Sequence, residues 1–137
     1  MSPPFLKAVH DKAADSIEFI PPPSTDGSSV SNAGSSIPMK FRLKDVDGNF
    51  VSDAKVTFVA QKVSAPQTKF VGPIPSFVYD FPTQKYQYTW SSPSGAMAKG
   101  VWAISYIQDY GTPNQVLLQG PEAKAAGASY SYTLTLK

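Results

Sequence analysis

A chain of 137 residues with 42% hydrophobic and 16% charged side chains has room for one domain built on one core. Twelve Lys and Arg against ten Asp and Glu leave a net charge of +2, too weak and too mixed to be an electrostatic footprint for nucleic acid. Cysteine is absent, which excludes disulfides, thiolate chemistry and Cys-ligated zinc, and no apolar run reaches the roughly 18 residues of a membrane-spanning helix.

Residues 1–15 have no clear period and read as an N-terminal arm or linker, with the remainder, 16–137, read as a single domain. The opening Met-Ser-Pro-Pro-Phe-Leu-Lys lacks the apolar segment of a secretory leader, so an exported parent would carry its leader elsewhere. Ser16 to Ile20 alternates briefly and predicts a first strand, ended by the triple proline Pro21 to Pro23. Ser24 to Ser36 is rich in Ser, Gly, Asn and Asp and predicts a long surface crossing.

The surest strand follows. Between Ser36 and Asp45, Ile37, Met39, Phe41 and Leu43 alternate without exception with Pro38, Lys40, Arg42 and Lys44. Successive strand side chains point to opposite faces, so this period of two buries one side and wets the other. Asp47-Gly48 then predicts a hairpin, because Gly48 takes positive φ at no steric cost. The return strand is expected at Lys55 to Val63, where Val59 breaks the polarity of the outer face.

Ser64 to Pro75 reads as a Pro-rich irregular link, with short strands after it at Ser76 to Asp80 and Lys85 to Ser91. Tyr86, Tyr88 and Trp90 share one face of the latter. Gly100 to Gln108 is apolar on both sides and predicts a central strand. Asp109 to Pro113 turns the chain, Gln115 to Gln119 continues it, and Glu122 to Ala125 allows one helical turn. Tyr130 to Leu136 closes the chain as a clean alternating strand. Seven or eight strands without a sizeable amphipathic helix predict an all-β, antiparallel two-sheet sandwich.

Pro38-Met39-Lys40-Phe41 stands after Ala33-Gly34-Ser35. It is followed by Tyr79-Asp80, Tyr86-x-Tyr88-x-Trp90 and Gly100-Val101-Trp102. In this order the residues resemble the PxKF-type domain of bacterial exported and cell-surface proteins, over about Ser16 to Gln119. The chain lacks the cysteine pair that some members carry, and extends the pattern from Pro121 onward. The resemblance implies an immunoglobulin-like accessory module of a larger secreted or surface protein, with no catalytic residues of its own. A motif that marks a fold is not itself an activity.

Candidate sites are sparse. His10, the single histidine, sits in the arm beside Asp11 without a serine or metal partner at a recognisable spacing. Asp45, Asp47 and Asn49 echo a calcium loop, but the twelfth position from Asp45 is Val56, which has no oxygen to offer, and a turn accounts for the group. Lys40, Arg42 and Lys44 form a cationic row that solvates a face, or that could meet an acidic polymer. Trp90, Trp102 and Tyr110 are the candidate ligand-binding residues, since flat rings stack on sugars. Trp90 alternates with polar neighbours as a core face does, and Tyr110 lies in a turn.

No phosphate loop, nucleophile elbow or metal-spaced histidine cluster is present. The expected function is therefore a non-catalytic spacer or protein-interaction module of an exported bacterial protein, secreted or on the cell surface. No cofactor or metal, no nucleic acid and no membrane insertion are expected. Its partners would be other domains of the parent protein, a polysaccharide or another surface protein. A carbohydrate-binding or adhesin module using exposed aromatics is the alternative, with a small hydrolase third.

Overall fold

The computed structural model describes residues 16–21 and 26–137; the arm with His10, and the rest of the triple proline, lie outside them. Ten strands appear in chain order: β1 (Ser16–Ile20), β2 (Val30–Ser31), β3 (Ser36–Lys44), β4 (Val56–Lys62), β5 (Lys69–Val71), β6 (Val78–Asp80), β7 (Lys85–Ser91), β8 (Gly100–Gln108), β9 (Val116–Leu118) and β10 (Tyr132–Leu136). A five-residue helix, α1 (Pro121–Ala125), with proline in its first turn, separates the last two.

One sheet runs β1-β3-β7-β6 and the other β2-β10-β8-β4-β5, with β9 also on β8. Pairing is antiparallel except between β2 and β10, which run parallel. This is the immunoglobulin-like arrangement, in which the chain leaves β1 at Pro21 and returns as β2 on the opposite sheet. β8 is central, as its two apolar faces predict. One of its edges is taken by β4, and the other is shared between β10 at Gly100–Ile104 and β9 at Tyr106–Gln108.

The strand count exceeds the predicted seven or eight. β2 and β5 account for most of the excess, being two- and three-residue strands inside stretches read as loops. The hairpin expected at Asp47-Gly48 also needs correction. The reversal forms, with Gly48 at φ 82 and Val51 N–H donating to the Leu43 carbonyl at 2.9 Å. The chain then leaves, and β4 joins the other sheet. A turn specifies a local change of direction, whereas the hydrophobic face of β4 finds its place only against β8.

The alternation of β3 puts Ile37, Met39, Phe41 and Leu43 inside, each almost fully buried. The Phe41 ring stacks on Tyr86, with centroids 4.8 Å apart and planes 7° from parallel, and meets Phe77 edge-on at 4.8 Å. Antibody domains tie their two sheets with a disulfide. Here the tie is polar. The Tyr132 hydroxyl of β10 donates to the Met39 sulfur of β3 at 3.2 Å and lies 2.6 Å from the Tyr106 hydroxyl. Tyr86 fastens the crossing from β3 to β4, donating to the Val51 carbonyl at 2.6 Å and accepting from Ala54 N–H at 3.2 Å.

Candidate functional site

The strand registers sort the loops into two ends. At one end lie the start of β1 beside Lys44 and the turns 45–55, 81–84 and 109–115. At the other lie the loop 92–99 and the end of β10, where Leu136 pairs with Gly100. The backbone therefore crosses the module lengthwise from β1 to β10.

Of the three residues singled out as ligand-binding, Trp90 and Trp102 are interior. They pack edge-on at 5.7 Å, with 0% and 2% exposure, and present no ring face to solvent. Trp102 Nε1 donates to the Ala98 carbonyl at 2.9 Å, whereas the buried Trp90 indole N–H has no hydrogen-bond partner among the described residues. Tyr110 is half-buried at the opposite end of β8 from Trp102. At the rise of a strand the six steps from Trp102 to Gln108 alone span about 20 Å. Trp90, Trp102 and Tyr110 thus form no common platform, and the physical reason is the alternation itself, which turns both indoles inward.

The turn carrying Tyr110 is braced. Asp109 adopts φ 55, Thr112 Oγ1 donates to the Asp109 carbonyl at 2.7 Å, and Gly111 N–H donates to Gln115 Oε1 at 2.9 Å. Tyr110 makes no ring contact among the described residues, so its side chain is the one aromatic of the three within reach of a ligand.

The acidic turn is likewise structural. Asp45 is buried, and its Oδ1 accepts from Asp47 N–H at 2.9 Å and Asn49 N–H at 3.0 Å. Among the described residues no group of three or more His, Asp or Glu is placed to hold a metal ion. In the cationic row, Arg42 reaches Glu18 at 3.6 Å and the Thr83 carbonyl at 3.3 Å, and Lys44 lies 5.3 Å from the Phe50 ring centre. Lys62 is the charged member of the inner row of β4. Its stem runs within the core, and its ammonium donates to the Met97 carbonyl at the end of the sandwich.

Two concave features adjoin one another beside β1, and a third, of about 350 Å³, lies at Val30, Ser31, Ser36 and Pro38, where β2 faces the start of β3. Between β1 and α1 a groove of about 330 Å³ is walled by Ile17, Phe19, Pro121 and Ala123, with Glu122 at its rim. A smaller hollow of about 110 Å³ adjoins it at Ser16, Leu43 and Leu117. The groove's volume is at the lower limit for small-molecule sites. Its floor hydroxyl, Ser131 Oγ, is already committed, donating to the Leu118 carbonyl at 2.6 Å and accepting from Tyr106 N–H at 3.0 Å. Such a groove can receive an apolar side chain; it offers no aligned acid, base and nucleophile.

Sequence reasoning passed over the opposite flank. Ile74, Val78 and Phe81 lie there with most of their surface in solvent. The available signal was a run of apolar residues among prolines with no alternation to bury them. No protein-family model matches this chain, and no curated protein matches its sequence.

Proposed function

We propose that the chain is a non-catalytic immunoglobulin-like module, a spacer or protein-interaction unit of an exported or cell-surface bacterial protein, as its resemblance to the PxKF-type domain implies. The observation that carries this reading is the lengthwise path of the backbone. β1 begins beside Lys44 at one end, and β10 ends beside Gly100 at the other. A module threaded this way takes its place in series without doubling the chain back, as a spacer requires. The polar groups that chemistry would recruit serve the scaffold instead: Asp45 caps a turn, Ser131 bridges two strands, and Tyr86 anchors a crossing.

The test is calorimetric titration with cell-wall and plant polysaccharides, run beside ester, peptide and glycoside turnover assays. No saturable heat and no turnover are expected. A saturable signal lost on Tyr110→Ala would replace this reading with sugar recognition. Turnover abolished by changing a single Asp or Glu would replace it with a hydrolase.

A further inference from the structure

β1 and β9 are edge strands of opposite sheets, and no ladder joins them among the described residues. The two layers are unsealed there, and the groove and the hollow beside β1 open into the gap between them. The hollow is lined by Ile17 and Leu43 of one sheet and Leu118 of the other, three residues that belong to the core or pack on it. The groove runs on from Ile17 to Phe19 and is roofed by Pro121 and Ala123 of α1. Ile17 lines both, so the two make one continuous slot between the layers.

Its polar groups are unevenly placed. Along its length they are already committed: Ser131 Oγ bridges Leu118 and Tyr106, and Gln119 Nε2 donates to the Ala128 and Tyr130 carbonyls at 2.6 and 3.2 Å. At the hollow stands Lys124, without an ion pair among the described residues, and Ser16 lines the same hollow. At the rim of the groove stands Glu122.

We propose that this slot binds a single-chain fatty carboxylate, its head at Lys124 and its alkyl chain running past Ile17 beneath α1. The charges set the direction of entry, since Lys124 attracts a carboxylate to the hollow and Glu122 repels it from the groove. The committed polar groups select an alkyl chain over a peptide. Backbone amides brought between the layers would find no side-chain partner there and would stay unsatisfied, whereas methylenes need none. The size fits as well. An apolar cavity of about 150 Å³ holds one benzene, so at that density the groove's 330 Å³ takes roughly a dozen carbons. The site goes beyond the spacer reading, and its failure would leave the polysaccharide and turnover assays of that reading untouched.

Calorimetric titration of the whole chain with dodecanoate, kept below its micellar concentration, tests it. One molecule per chain is expected. Affinity should rise about fourfold per methylene from octanoate and level off near roughly twelve carbons. Lys124→Glu, on an exposed side chain, should weaken dodecanoate about tenfold and leave dodecanol unchanged. Gly120→Leu plugs the slot itself. The φ of −70 at Gly120 suits any residue, and a Cβ there stands 3.9 Å from the Phe19 ring. That variant should lose both ligands while keeping its thermal midpoint. No saturable heat, several molecules bound per chain, affinity indifferent to both substitutions, tighter binding of an alternating Val-Thr peptide, or binding only to phosphatidylglycerol vesicles would each overturn the proposal.

Discussion

At the scale of single residues, the Tyr132 hydroxyl links both sheets, touching Met39 across the core and Tyr106 beside it. Tyr132→Phe leaves the buried Tyr106 hydroxyl without its partner, a loss expected to cost about 1–3 kcal/mol in urea denaturation. The double change with Tyr106→Phe should cost less than the sum of the two, because the second removes a group already orphaned. Trp90 and Trp102 make a related contrast. Trp102→Phe forfeits the bond to Ala98, whereas Trp90→Phe forfeits no hydrogen bond and should be the milder change.

The buried phenols also set an alkaline limit. Burial raises the Tyr86 pKa to about 12 and raises those of Tyr106 and Tyr132 as well, with the neighbouring phenol adding to the rise at Tyr132. In the unfolded chain these groups titrate near pH 10. Above that value the unfolded chain releases protons that the folded chain keeps. Stability is therefore full below about pH 10 and falls as pH rises through about 12. Urea midpoints measured across this interval should show the decline. Tyr86→Phe should flatten part of it, while loosening the 51–54 crossing that Tyr86 holds.

At the scale of elements, two hydroxyls stand in for missing ladder bonds. Ser131 occupies the gap where β9 gives way to β10 and satisfies Tyr106 N–H. Ser131→Ala should cost about 1–3 kcal/mol by leaving that buried donor unpaired. Ser76 does the same for β4, accepting from Phe58 N–H at 3.0 Å and donating to the Pro73 carbonyl at 2.5 Å. Its partner position is Gly72, where an added Cβ would stand 2.5 Å from Ser76 Oγ. Gly72→Ala should displace that hydroxyl, lower the thermal midpoint and speed hydrogen exchange at Phe58.

The same elements show which parts of the fold are readable in sequence. β3, β7 and β8 declare themselves because each buries a whole alternating face. β2 and β5 do not. Their two and three residues are mostly exposed, so their strand character comes from the neighbour they pair with rather than from their own pattern. The hairpin at Asp47-Gly48 is misread for a related reason, since turn chemistry acts over four residues while sheet membership is decided across the core. As for the candidate sites, the inward course of Trp90 is legible in its polar neighbours. The exposed flank is not, because nothing in a Pro-rich run indicates which apolar residues find cover.

At the scale of the whole molecule, most of the scaffold is held by pairings between strands distant in sequence, such as β1 with β3 and β10 with β2. Such topologies close long loops before contacts repay the cost, so folding is expected on the millisecond-to-second scale as one cooperative step. Stopped-flow tryptophan fluorescence should show a single phase whose amplitude accounts for the whole equilibrium change. Reducing agents should leave the unfolding midpoint where it is, because no thiol or disulfide takes part.

The lengthwise path of the backbone has a mechanical consequence. A pull applied where β1 starts and where β10 stops runs along the strands, so the β1–β3 and β10–β2 bonds are loaded in shear and must rupture together rather than unzip one after another. Stretched in an optical trap, the module should hold its length up to a sharp threshold and then give way in a single event. A link so built would carry load between whatever lies on either side of it while keeping its shape.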